Sequence, residues 1–318
     1  MKKKLLLMSL MTALSTGAMA ISGSWGMSME GENNSNAFNN GDMILPAITG
    51  TLFPMEDSSF YVGTKITTRI HLNNSAFYNA DDRSLSKGDG RDRYEIFTGY
   101  TWTEGNFSFM PKIAYRYENY KFKQSKDQMH FVRINPNMKY TVNEDVTVYF
   151  KGLINPGTKK GDAYDWTNLD GTKTGHKDSY KHKSFSYEAE LGAKYKLADN
   201  QDVAFGVYNE REIEKDKFER NIWEARAYYD YKFENGVKAG PYARFCLSRN
   251  DKGNGDNKFD KYSNKRNRYG IKADFPVSET FAMYSEVYYQ VHKNAGIKKG
   301  NSVTNDRLFY KLGFTQKF

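Results

Sequence analysis

Basic side chains recur along this chain at even spacings: Lys65 and Arg69, Lys112 and Arg116, Lys194 and Lys196, Arg268 and Lys272. At the intervening parity sit Ile66 and Ile70, Ile113 and Tyr115, Ala193 and Tyr195, Tyr269 and Ile271. A two-residue period places the two sets on opposite faces of β-strands. A face carrying ammonium and guanidinium groups breaks no bonds. Lining a water-filled passage, it would concentrate anions and hold back cations.

Followed strand by strand, that parity collects Lys65, Arg69, Arg93, Lys112, Arg116, Arg133, Lys139, Lys151, Lys194, Lys196, Arg226, Lys232, Lys238, Arg244, Arg268, Lys272, Arg307, Lys311 and Lys317, nineteen bases. The acids at the same parity are Glu95, Glu118, Glu188, Glu190, Glu224, Asp230, Asp274 and Glu286, only eight. The imbalance predicts a positive interior, unless cross-strand pairs neutralise the bases. Other chemistry has less support. The five histidines, His71, His130, His176, His182 and His292, lie near no recognisable nucleophile or paired-carboxylate motif, and His182 beside Ser184 and Ser186 is a proximity without a third group. Asp251, Asn254, Asp256, Asn257 and Asp260 offer oxygen ligands but lack the spacing and closing glutamate of a calcium loop. No catalytic residue, metal site or cofactor is expected.

The elements that would hold such a face are strands. Phe60 to Leu72, Phe107 to Tyr117, Phe185 to Leu197, Trp223 to Phe233, Val237 to Leu247, Tyr269 to Val277 and Phe281 to Val291 alternate apolar and polar residues. Short turn signals recur at Pro54 to Ser58, Glu104 to Asn106, Asn143 to Asp145, Ala198 to Asp202, Glu234 to Gly236 and Ser278 to Thr280. Longer polar stretches separate them: Asn74 to Asp92, Asn155 to Lys183, Asp251 to Ser263 and Asn294 to Asn305. Short turns at one end and long loops at the other, with ionic and apolar faces on every strand, predict an all-β, antiparallel, up-and-down transmembrane barrel. About fourteen strands are expected, or twelve if Ile21 to Glu32 and Ile44 to Phe53 fail; the latter has two possible registers. Aromatics beside the short turns, among them Phe53, Phe60, Trp102, Phe107, Phe275 and Phe281, suit the headgroup boundary.

The mean hydropathy of −0.78 looks soluble, but averaging over an alternating strand conceals its lipid face. Lys2, Lys3 and Lys4, an apolar stretch from Leu5 to about Leu14, and Ala18-Met19-Ala20 form an expected signal peptide over residues 1–20, leaving 21–318 as one barrel domain. Loss of those 3 lysines leaves 44 bases against 38 acids, a net charge of +6, and export excludes nucleic acid as a partner. Cys246 is the single cysteine and cannot close an internal disulfide.

The chain ends Lys311-Leu312-Gly313-Phe314-Thr315-Gln316-Lys317-Phe318, with Leu308, Tyr310, Leu312, Phe314 and Phe318 at one parity. This order resembles the carboxy-terminal signature read by the barrel-assembly machinery of bacterial outer membranes, in which Lys311, Gly313, Phe314 and Phe318 occupy the defining positions and Gln316 departs from a hydrophobic one. Together with the signal peptide, turn asymmetry and strand number, the chain resembles the monomeric outer-membrane protein G porins, related to the oligogalacturonate-specific porins. That resemblance implies a monomeric pore in the outer-membrane bilayer for small hydrophilic solutes, anions or acidic sugars. The loop from Asn155 to Lys183 would then be either a gate over the mouth or a solvated surface segment. The competing expectation is a surface adhesin or antigen that uses the long loops.

Overall fold

The computed structural model describes residues 22–34, 42–55, 58–72, 90–122, 125–162, 166–167, 173–174, 179–215, 218–253, 262–295 and 302–318. Fourteen wall strands are present: β1 (Ser22–Asn34), β2 (Met43–Phe53), β3 (Tyr61–His71), β4 (Gly90–Gly99), β5 (Phe107–Phe122), β6 (Ser125–Thr141), β7 (Val146–Asp162), β8 (Ser179–Ala198), β9 (Gln201–Glu214), β10 (Phe218–Lys232), β11 (Lys238–Gly253), β12 (Tyr262–Pro276), β13 (Phe281–Ala295) and β14 (Ser302–Lys317). β4 breaks at Tyr100 and resumes over Trp102–Glu104, both pieces pairing with β5. Each strand pairs antiparallel with its sequence neighbours, and β1 pairs with β14, closing the ring. Closure leaves no sheet edge, so every wall strand has backbone partners on both sides, as hydrocarbon demands. A separate two-residue pair, Trp166–Thr167 with Lys173–Thr174, lies between β7 and β8.

The turns at one end are tight for identifiable reasons. Asn143 Oδ1 accepts from the amides of Asp145 and Val146 at 3.0 and 2.8 Å, and Ser278 Oγ accepts from Phe281 N at 3.0 Å. Gly105 and Gly236 have φ of +53° and +83°, conformations that a side chain disfavours. The outer wall is apolar: Ile96, Ile113, Leu191, Phe205, Leu247, Ile271, Val287 and Leu312 are all exposed. Near the tight turns Trp25 meets Phe314 edge-on with centroids 5.2 Å apart, and Trp102 meets Phe107 at 5.9 Å, forming the expected aromatic girdle.

The structure decides three local points that alternation left open or misread. In β2 the register puts Ile48 outside and buries Met43, Leu45 and Ala47 against the interior. The stretch Asn155 to Lys183, expected as loop, is largely strand: β7 and β8 stay in register from Val146 opposite Tyr195 up to Asp162 opposite Ser179. Above the hydrocarbon both faces of a strand meet water, so polar side chains no longer report where the ladder ends. In β11 the alternation is interrupted by an extra residue at Leu247: Glu224 faces Cys246, yet Trp223 faces Ser248. This bulge restores Arg249 to the buried, inward side.

Candidate functional site

The inner face of the barrel holds the chemistry, in two ionic clusters at mid-height and a more open zone near the tight turns. On one wall, β4 and β5 run in a register that sets Glu95 opposite Arg116 and Arg93 opposite Glu118. Glu118 Oε1 accepts from Arg93 Nε at 2.8 Å, and Glu118 Oε2 from Arg91 Nη1 at 3.0 Å. Glu95 binds Arg116 Nη2 at 2.7 Å, Arg133 Nη1 at 3.1 Å and Lys112 Nζ at 3.3 Å. Five cations thus share two carboxylates.

A second cluster spans β7 to β14. Arg226 bridges Glu190 and Glu224 at 2.6 and 2.8 Å, and Arg266 reaches Glu224 at 3.4 Å. Tyr149 donates to Glu190 Oε1 at 3.0 Å. Guanidinium and ring alternate around this wall: Arg226 lies 3.4 Å from the centroid of Tyr208, Arg268 4.1 Å from Tyr288, and Arg244 5.4 Å from Tyr242, whose hydroxyl donates to Glu286. Arg268 also donates to Gln290 at 3.2 Å, and Tyr288 stacks on Phe309 at 4.4 Å. Cations over aromatic faces keep favourable contacts without a carboxylate, so the rings help to order the arginines of this wall.

Toward the tight turns the inward lysines are more accessible. Side chains of Lys194, Lys238 and Lys272 are 42%, 40% and 40% exposed, against 10% for Arg226 and 3% for Glu224. Lys194 pairs with Asp202 at 2.7 Å, while Lys238 and Lys272 share Asp230 at 3.0 and 3.3 Å. Lys272 also reaches the Tyr228 ring. Among the described residues the inward charged side chains are therefore less accessible at mid-height than at this end.

Every residue singled out for the inner parity sits on the inner face by register. Lys65 lies opposite Glu95, Arg69 opposite Arg91 with its Nε unpartnered, and Glu188 opposite Glu210. The sequence reading passed over Arg91 and Arg266, which share the parity of Arg93 and Arg268, and Arg249, which the bulge hides. It also passed over the inward tyrosines Tyr208, Tyr228, Tyr242 and Tyr288, although each shares a parity with charged residues of its own strand.

At the end of the chain Lys311 pairs with Glu30 at 2.9 Å, Phe314 packs between Trp25 and Phe281, and the Tyr284 ring folds over Gly313. Phe318 and Gly23 exchange both backbone hydrogen bonds at 3.0 Å across the seam. Ala18 and Ala20, His176 and the oxygen-rich positions 254–260 lie outside the described residues. Among the described residues no group of three or more His, Cys, Asp or Glu could hold a metal ion. His182 Nε2 lies 3.2 Å from Glu214, and His130 Nδ1 lies 2.6 Å from the Tyr115 hydroxyl on the outer wall.

Solved barrels share this architecture. A deltaS2 mutant of the monoaromatic hydrocarbon channel TodX superposes with a TM-score of 0.53 at 8% identity, covering 96% of this chain and 92% of that one. The monoaromatic hydrocarbon channel CymD gives 0.51 at 7% identity, covering 96% and 90%. TbuX, the toluene transporter of Ralstonia pickettii, gives 0.49 at 9% identity, covering 95% and 90%. At such identities the likeness is one of fold. No curated protein sequence matches the chain. A closed barrel with an apolar outside and an ionic inside agrees with the match of residues 45–219, more than half of the sequence, to the outer membrane protein beta-barrel domain, and the chain belongs to that family.

Proposed function

We propose that this protein is an outer-membrane porin, a passive channel for small hydrophilic solutes that favours anions or acidic sugars. The observation that carries the reading is the five-to-two ratio of cations to carboxylates around Glu95 and Glu118, faced by arginines stacked on tyrosines. Pairing lowers the field of the bases but does not cancel it, because each of these carboxylates serves more than one cation. A cation crossing mid-height would meet net repulsion, and an anion would be drawn in. A hydrocarbon, the cargo named for the channels of similar fold, would have to strip water from ionised groups at the same level, which is costly.

The same reading includes a signal peptide over residues 1–20, recognition of Lys311, Gly313, Phe314 and Phe318 by the barrel-assembly machinery, a monomeric pore, and kinship with the outer-membrane protein G porins. Reversal potentials in a salt gradient across a planar bilayer test the selectivity directly. An anion-selective sign is expected; a cation-selective sign, or the absence of ion conduction, rejects the proposal.

A further inference from the structure

One strongly charged surface does not face the interior. Lys160 on β7, Lys181 and Lys183 on β8, and Lys215 just beyond β9 are all exposed. Lys181 and Lys183 share the parity of Phe185 and Leu191 on the outer wall, and Lys160 lies directly opposite Lys181. Lys215 N donates to Lys183 O at 3.1 Å, which brings the fourth lysine beside the third. Like charges directly opposite across a ladder are destabilising. Among the described residues none of the four has an ion-pair partner, whereas the neighbouring Arg211 is held by Glu219 at 2.6 Å.

The height of this patch says what would cover it. Below it on the outer wall lies a polar band in which the buried Asn209 accepts from Tyr187 OH and donates to Asn221 Oδ1, both at 2.8 Å. The exposed Trp223 lies directly opposite Asn209, and lower still come the exposed Val207, Leu191 and Phe205. The lysines stand away from the tight-turn end, where the aromatic girdle lies. Apolar wall, a band of hydrogen-bonding and aromatic side chains topped by the exposed Phe185, and exposed ammonium groups therefore follow one another along the strands. That sequence matches acyl chain, glycolipid backbone and phosphate in an outer leaflet built of phosphorylated glycolipid.

We infer that Lys160, Lys181, Lys183 and Lys215 form a docking surface for a phosphorylated glycolipid of the outer leaflet, bound on the outside of the barrel through its headgroup phosphates. Clustered lysines at a bilayer surface each add attraction for anionic headgroups. The site is independent of solute passage, because these side chains point away from the interior.

The test uses protein purified from the outer membrane, delipidated in detergent, and titrated with bis-phosphorylated lipid A followed by native mass spectrometry. The expected result is a resolved one-to-one complex with the wild-type barrel. Binding should be weakened roughly tenfold or more in the quadruple variant Lys160→Gln, Lys181→Gln, Lys183→Gln, Lys215→Gln, and weakened comparably for the wild type when the lipid is dephosphorylated. The single variant Lys181→Gln should give an intermediate loss and covers the case in which the quadruple variant does not fold, with heat-modifiable gel mobility reporting closure. Equal affinity for phosphorylated and dephosphorylated lipid, or no loss in either variant, overturns the inference. Displacement of the lipid by an equal concentration of inorganic phosphate would also overturn it, since the site would then read a free anion. Unchanged bilayer conductance in the variants keeps this result separate from the channel proposal.

Discussion

Glu95 is the inner-face residue on which most rests. Its carboxylate is nearly inaccessible and is shared by Lys112, Arg116 and Arg133. Glu95→Gln would leave three cations around a neutral amide. Removing one side of such a buried network typically costs about 3–5 kcal/mol, less where water reaches the cations, so urea unfolding of the refolded barrel should show a loss of roughly 3 kcal/mol. The same variant should conduct with a reversal potential shifted further toward anions; an unshifted potential would mean that the ion path bypasses this cluster. Gly313 makes a second prediction. An added Cβ would sit 2.8 Å from Met27 O and run into the Tyr284 ring, so Gly313→Ala should destabilise the barrel by about 1–3 kcal/mol through overpacking, measurable in the same titration.

Among the elements, the long hairpin of β7 and β8 separates what alternation can show from what hydrogen bonding builds. Apolar residues fade upward along both strands, which is why Asn155 to Lys183 reads as loop, yet the ladder continues to the pair of Asp162 and Ser179. Hydrogen exchange should accordingly find the amides of 157–161 and 180–185 protected well beyond those of a solvated loop; rapid exchange throughout would contradict the extended hairpin. In β11 the bulge at Leu247 is the device that brings Arg249 to the inner face. Deleting Leu247 removes the extra residue and leaves Ser248 opposite Trp223 and Arg249 opposite Ile222 on the inner face, now in strict alternation with Cys246. The yield of heat-modifiable barrel should therefore be maintained, and a collapse of the yield would show that the bulge itself is needed for closure.

At the scale of the whole molecule, the barrel is a ring whose last bond is the seam between β1 and β14. Phe318 closes it through its backbone and supports the girdle through its ring, so Phe318→Ala should reduce the amount of protein reaching the outer membrane while leaving synthesis unchanged. Quantifying the chain in membrane fractions checks this. The selectivity of the channel should also depend on salt: raising ionic strength from 0.1 M to 1 M shortens the screening length from about 10 Å to about 3 Å. Anion preference should shrink accordingly in bilayer recordings. A preference that does not change with salt would point to a steric filter instead of an electrostatic one.

Parity in the amino-acid sequence was enough to determine that these segments are strands, that they form a barrel of about fourteen, and which bases turn away from the lipid, because side-chain direction alternates regardless of partners. Parity says nothing about partners. Only the tertiary register decided that Glu95 and Glu118 draw cations from β4, β5 and β6, that tyrosines join arginines on the opposite wall, and that β2 turns Met43 inward. Bulges and strand ends lay equally beyond reach, since both depend on backbone hydrogen bonds that leave little mark on side-chain type. The outward lysines of β7 and β8 were visible as residues but acquired meaning only when the ladder set Lys160 against Lys181 on the outer face.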